Sequence, residues 1–232
     1  QDQDVSAQGL KSLVETYKQI IYERKGVKFP EDPYEQLFMS ISAVFRSWNN
    51  ERAIIYRKVN KIPDNLGTAV NIQAMVFGNM GNDSATGVMF TRNPSTGENS
   101  LYGEYLVNAQ GEDVVAGLRT PKPISQIDED LPGIYEQLKR VARILENHYR
   151  DMQDIEFTIE RKKLYILQTR SGKRTAQASL EIARSMVKEG KILKEEAILR
   201  IKPEEIARLL HRGIDPNIQS EVLARGLPAS PG

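Results

Sequence analysis

Four residues of this 232-residue chain have side chains and spacing suited to holding a phosphate beside a metal ion: Asp154, Glu156, Gln168 and Arg170. A carboxylate and an amide oxygen are hard ligands of the kind Mg²⁺ takes, together with the oxygens of a nucleotide's phosphates. An arginine alongside can grip phosphate through its planar fork of donors. The set has chemical meaning only if the fold brings it to one surface. The stretches Asp154-Ile-Glu-Phe-Thr-Ile-Glu160 and Leu164-Tyr-Ile-Leu-Gln-Thr-Arg170 predict two strands of a hairpin. Alternate residues of a strand share a face, so Ile155, Phe157 and Ile159 form one apolar set and Tyr165, Leu167 and Thr169 its counterpart. For both sets to lie on one side of a sheet, even-numbered positions must pair with even-numbered ones. A three-residue loop at 161–163 satisfies this and sets Glu156 opposite Gln168 and Asp154 opposite Arg170. Other loops of the same parity would change the partners but not the face. The competing reading is a solvated strand face carrying a cross-strand salt bridge.

Other candidates carry weaker signals. The loop Gly78-Asn-Met-Gly-Asn-Asp-Ser-Ala-Thr-Gly87 could wrap phosphate with backbone N–H groups. It lacks the Gly-Lys-Ser/Thr of a P-loop and the Rossmann glycine spacing, and a plain connecting loop explains it equally. Glu112 and Asp113 follow a β-like run, where turn acids are also common. His148 falls on the apolar stripe of a predicted helix and is expected to be packed. His211 sits near a helix end, where a favourable interaction with the helix C-terminus accounts for it.

The elements that must position these residues fall into three regions: a helical hairpin at 1–52, a mixed α and β part at 53–178, and a helical linker at 179–232. In the first, Leu10, Leu13, Val14, Tyr17 and Ile21 recur at helical spacing, as do Leu37, Ile41, Val44 and Phe45 beyond two prolines. In the second, strands are predicted at 53–59, 69–77, 87–91 and 102–108, a helix at 132–150, and then the hairpin. In the third, a helix with Leu180, Ala183, Met186 and Val187 along one side ends at Gly190. A short helix at 194–201 follows, and Lys202-Pro-Glu-Glu205 reads as another helix start. The fold class is therefore α+β, with an antiparallel or mixed sheet flanked by helices at both ends.

Composition narrows the function classes. The chain has no cysteine, which excludes disulfides, thiolate metal ligands and a thiol nucleophile. Its net charge of +1 gives no field for gripping a nucleic-acid backbone. No apolar run is long enough for a membrane span and no targeting signal is visible, so a cytoplasmic location is expected. Both ends have the look of cuts within a longer protein.

Several motifs, in order along the chain, resemble the pyruvate, phosphate dikinase family. They are Thr86-Gly-Val-Met-Phe-Thr-Arg-Asn-Pro-Ser-Thr-Gly97, Gly103-Glu-Tyr-Leu-Val-Asn-Ala-Gln-Gly-Glu-Asp-Val-Val-Ala-Gly-Leu-Arg-Thr-Pro121, Asp151-Met-Gln-Asp-Ile-Glu-Phe-Thr-Ile-Glu160, Leu167-Gln-Thr-Arg170 and Leu227-Pro-Ala-Ser-Pro-Gly232. The resemblance implies the later part of an ATP-grasp nucleotide-binding domain. The family's reaction turns ATP, phosphate and pyruvate into AMP, pyrophosphate and phosphoenolpyruvate through a phosphohistidine on a separate domain of the same chain. It further implies that Glu156 and Gln168 contact ATP and its Mg²⁺, that Arg170 contacts phosphate as the catalytic cation, that Glu112 faces the nucleotide, and that Asp154 supports them. A homodimeric parent is implied as well. The Thr-Ser-His context of the family's carrier histidine is absent here, as are the phosphate-gripping part of the ATP-grasp domain and the pyruvate-binding barrel. The expectation is a fragment inactive by itself. A phosphoenolpyruvate synthase or related dikinase fragment, and a non-catalytic helical interaction module, are the alternatives.

Overall fold

A computed structural model describes residues 5–116, 119–203, 206 and 209. It divides the chain into two compact units, Gln1–Ala74 and Met75–Gly232.

The first unit is helical: α1 (Ala7–Lys25), α2 (Pro33–Ser47) and α3 (Glu51–Asn60). Ser6 caps α1 by accepting from the Gly9 N–H, and Gly26 ends it in the left-handed conformation. Asp32 caps α2, with Pro33 at the first helical position. The strand predicted at 53–59 is in fact α3. A short apolar run such as Ala53-Ile-Ile-Tyr does not by itself distinguish strand from helix. Here Glu51 in the first turn and Arg57 and Lys58 in the last complement the helix dipole. The Arg57 side chain is buried, stacks 4.0 Å from the Trp48 ring centre and bonds Asp64 at 2.7 Å. The strand predicted at 69–77 is also not formed. Residues 69–76 make no backbone–backbone hydrogen bonds among the described residues, so β propensity there finds no neighbouring strand.

The second unit holds an antiparallel sheet in the order β3-β2-β1-β4-β5. Its strands are β1 (Ala85–Phe90), β2 (Tyr102–Val107), β3 (Lys122–Pro123), β4 (Gln153–Glu160) and β5 (Lys163–Ser171). The short α4 (Gly111–Ala116) follows β2. After β3 come α5 (Ile127–Asp130) and α6 (Ile134–Tyr149), and after β5 come α7 (Ala176–Lys188) and α8 (Lys194–Arg200). The expected α+β class holds, and every strand pairing is antiparallel.

One sheet face is core. Ala85 and Met89 of β1, Tyr105 of β2, and Ile155, Phe157 and Ile159 of β4 pack with Ile134, Leu138 and Ala142 of α6. Each large side chain buried there contributes about 1.5–3 kcal/mol. The strip of α6 that faces the core runs through Ile134, Leu138, Ala142 and Glu146. His148, expected to be packed, is instead exposed and meets only the Tyr149 ring edge-on at 4.7 Å. It lies two residues beyond Glu146, which on a helix is nearly the opposite side. A second cluster joins Met152 to Ala178, Ile182 and Met186 of α7.

The hairpin differs from expectation in one instructive way. Its turn is the two residues Arg161 and Lys162, both at positive φ, and Glu160 pairs with Lys163. That would shift the far end of the strands, but a β-bulge between Glu156 and Phe157 restores it. Phe157 pairs with Ile166 and Glu156 with Gln168, leaving Leu167 as the extra residue. On the turn side of the bulge Leu164 and Ile166, not Tyr165 and Leu167, therefore pack against the core.

Candidate functional site

Beyond the bulge, Asp154 lies opposite Arg170 and Glu156 opposite Gln168. These are the partners that the sequence predicts. They sit on the sheet face away from α6, because the alternating residues Ile155 and Phe157 are fully buried on the other side. Arg170 Nε donates to Asp154 Oδ2 at 2.8 Å, and its Nη2 lies 3.8 Å from Glu156 Oε1. The bond to Asp154 raises the Arg170 pKa above its ordinary value, so this side chain is a fixed positive charge. Asp154 is mostly enclosed, at 14% exposure, whereas Glu156 is 40% exposed. The Gln168 side chain is exposed and makes no hydrogen bond to any described residue.

Next to this stripe opens a cleft of about 670 Å³. Glu156 and Thr158 of β4, Thr86 and Val88 of β1, and Leu167 of the bulge form part of its wall. Met75, Val76, Phe77 and Gly78 close one side. Glu112, exposed in the first turn of α4, lines it as well. Glu112 and Glu156 thus share one cleft, while Asp154, Gln168 and Arg170 extend the polar face beyond it. Asp113 is a turn acid, accepting from the Gln110 N–H at 2.8 Å.

The Gly78–Gly87 loop is tied down by its neighbours. Its Gly78 carbonyl accepts from the Ala109 N–H, its Ser84 carbonyl from Asn108, and its Asp83 carbonyl from Lys162 at the hairpin turn. Gly78 itself lies against backbone, since a Cβ there would come within 2.4 Å of the Ala109 oxygen.

Among the described residues no group of three or more His, Asp or Glu side chains is arranged to hold a metal. The donors available are one open carboxylate and one unengaged amide oxygen, Glu156 and Gln168. That donor set is too small for a protein cage, but it fits Mg²⁺, which takes a few protein oxygens and fills its shell with water and phosphate.

A buried charge cluster lies at the other end of β1. Arg92 is completely enclosed and donates to Glu146 through Nε and Nη2, both at 2.9 Å. It also donates to Glu189 at 2.8 and 2.7 Å and to the Ser185 hydroxyl at 2.8 Å. Lys191 Nζ reaches Glu146 at 2.6 Å. Burial pushes the Glu146 carboxyl up, but bonds from Arg92 and Lys191 outweigh it and leave its pKa below the ordinary value. Arg92, followed by Lys191, brings Glu189 down to about 2. Strand alternation gives no hint of these residues. Arg92 sits in a turn-like Thr-Arg-Asn-Pro stretch, and Glu146 is an acid on an otherwise apolar helix face. His211 and the terminal Leu227–Gly232 motif lie outside the described residues.

A family model described as "Pyruvate phosphate dikinase, AMP/ATP-binding domain" matches residues 29–135 and 126–191. The chain is 56% identical over 234 residues to pyruvate, phosphate dikinase of Clostridium symbiosum, covering all of this chain and 27% of that protein. It is 54% identical over 244 residues to the enzyme of Rhizobium meliloti (strain 1021), again covering all of this chain and 27% of the relative. The chloroplastic pyruvate, phosphate dikinase of Flaveria trinervia is 54% identical over 233 residues, all of this chain and 24% of that one. The chain spans about a quarter of the length of these curated relatives. With these matches running through both the cleft and the polar hairpin face, the chain belongs to the pyruvate phosphate dikinase AMP/ATP-binding domain family.

Proposed function

We propose that this chain forms one wall of the ATP site of a pyruvate, phosphate dikinase, with the nucleotide base in the cleft and the phosphates along the hairpin face. The observation that carries this reading is the cross-strand stripe Asp154–Arg170 and Glu156–Gln168, running out of a cleft that Glu112 and Glu156 share. The apolar walls at Met75, Phe77 and Leu167 suit a flat heterocycle. Glu156 and Gln168 supply oxygens for Mg²⁺, which when bound neutralises phosphate charge. Arg170 contacts the phosphates and stabilises the charge that builds during transfer. Asp154 holds the Arg170 guanidinium in place, and Glu112 faces the nucleotide.

In the whole protein the reaction would convert ATP, phosphate and pyruvate to AMP, pyrophosphate and phosphoenolpyruvate, with a histidine on another domain of the same polypeptide as carrier. The ATP-grasp architecture, a cytoplasmic setting and a homodimeric parent belong to the same proposal. Both curated relatives named above from bacteria and the chloroplastic plant form carry the dikinase name, which favours phosphate, not water, as the second acceptor.

Calorimetry with Mg²⁺ and a non-hydrolysable ATP analogue tests the site. Gln168→Ala and Arg170→Ala should each weaken binding, and in a full-length protein each should slow the ATP half-reaction by about 100-fold or more. Near-normal rates in both variants would refute the assignment.

A further inference from the structure

The β-bulge makes the register of β5 a functional matter. A one-residue slip would send Gln168 and Arg170 to the core face and Thr169 to the cleft side. The two-residue turn at Arg161 and Lys162 favours one register, and the extra residue Leu167 imposes another beyond it. Something other than the turn must therefore hold the open end of the hairpin.

A continuous hydrogen-bond chain lies under that end, on the face opposite the polar stripe. Thr169, between Gln168 and Arg170, donates its hydroxyl to Gln153 Oε1 at 3.0 Å. Gln153 immediately precedes Asp154, and its side-chain nitrogen is anchored on the Asp151 and Met152 carbonyls, both at 3.1 Å. The Gln153 N–H donates to Thr91 Oγ1 at 3.0 Å, and its carbonyl accepts from the Thr91 N–H at 2.9 Å. Thr91 Oγ1 in turn donates to Glu146 Oε1 at 2.8 Å. Glu146 is fixed by Arg92 and Lys191. Thr91, Gln153 and Glu146 are all buried, at 3%, 1% and 3% exposure. A buried chain with every member paired is stiff, because any displacement leaves an unsatisfied polar atom.

We infer that the Thr169–Gln153–Thr91–Glu146 chain is a positioning device that sets the register of β5 beyond the bulge and so turns Gln168 and Arg170 outward. Its bearing on nucleotide binding rests on the reading of that face as the ATP site. Thr169 touches no ligand in this scheme; it acts through the two residues beside it.

The test uses the 232-residue chain labelled for nitrogen NMR. In Thr169→Val, which keeps the shape and removes the donor, exchange of the Arg170 Nε–H with water should accelerate about tenfold. Amide protection in β1 and β2 should stay unchanged. Thr169→Ser, which restores the hydroxyl, should return Arg170 to within about twofold of the parent chain. Binding of the Mg²⁺–ATP analogue should weaken about tenfold in Thr169→Val and recover in Thr169→Ser. An unchanged Arg170 exchange rate in Thr169→Val would overturn the inference, as would a loss that Thr169→Ser does not repair. In the unsubstituted chain the Thr169 hydroxyl proton should be protected enough to observe, and its rapid exchange would also overturn it, whether or not the valine variant folds. Failure of the unsubstituted chain to bind nucleotide would sink the ATP-site reading alone, since the exchange measurements require no nucleotide.

Discussion

Among the described residues the Arg92 guanidinium is the most heavily committed buried side chain, with bonds to Glu146, Glu189 and Ser185 and no exposure. Removing one partner of such a group leaves buried charge without compensation. Arg92→Met should destabilise the chain by about 3–5 kcal/mol, read by urea denaturation. A loss below 1 kcal/mol, on the order of a surface ion pair, would show that the cluster relaxes or hydrates. The same cluster predicts an acid response. Glu189 falls from 4.5 to about 2 on folding, and Glu146 is also held below its ordinary value. A depressed carboxyl contributes stability that is present above its unfolded pKa and lost as pH falls through its folded one. Thermal midpoints should therefore drop between about pH 4.5 and pH 2. Glu189→Gln should flatten the curve in that window; an equally steep fall in the variant would assign the acid sensitivity elsewhere.

At the scale of elements, the sheet depends on a close approach at Gly87. Gly87 lies opposite Phe157, and a Cβ there would meet the Phe157 ring at 2.5 Å and the Glu104 carbonyl at 2.7 Å. The ring fills the space that Gly87 leaves, directly beside the bulge. Gly87→Ala should cost about 1–3 kcal/mol through overpacking, and the displaced Phe157 should disturb Glu156 next to it. Thermal unfolding and binding of the ATP analogue would both register the change. Helices differ as sharply. α6 and α7 each bury four residues, whereas α1 and α2 bury none. Helical stability comes mainly from packing an apolar face, so amides of α1 and α2 should exchange at least about 100-fold faster than those of α6. Comparable protection would mean that α1 and α2 bury apolar surface in solution. That Asp154 shares a face with Glu156, and Gln168 with Arg170, was legible in the sequence because alternation is a local rule; they meet as Asp154–Arg170 and Glu156–Gln168 because the bulge offsets a turn one residue shorter than the expected three-residue loop. The bulge was not, since it arises from a mismatch between a two-residue turn and the partners farther out. Residues 53–59 were misread as a strand for a related reason: a short apolar run is compatible with either period until its flanking charges and the buried Arg57 decide.

At the scale of the whole molecule, the proposal assigns this chain the nucleotide-facing half of the reaction, and neither His148 nor His211 stands in a Thr-Ser-His context. Incubation of this chain with ATP, Mg²⁺, phosphate and pyruvate should yield no phosphoenolpyruvate. Turnover by the chain alone would refute the division of labour proposed above. The described residues contain no helix long and apolar enough to cross a membrane. By itself, the sequence determined which residues of β4 share a face, where α6 and α7 run, and the motifs that carry the family likeness, because each of these is written in local period or in ordered residue identity. Only the tertiary structure decided that Leu167 is extruded, that His148 faces water while Glu146 is buried, and that Thr169, Gln153 and Thr91 link the polar stripe to Arg92. Those outcomes depend on which distant groups satisfy one another's charge and hydrogen-bonding capacity, and no local period encodes that.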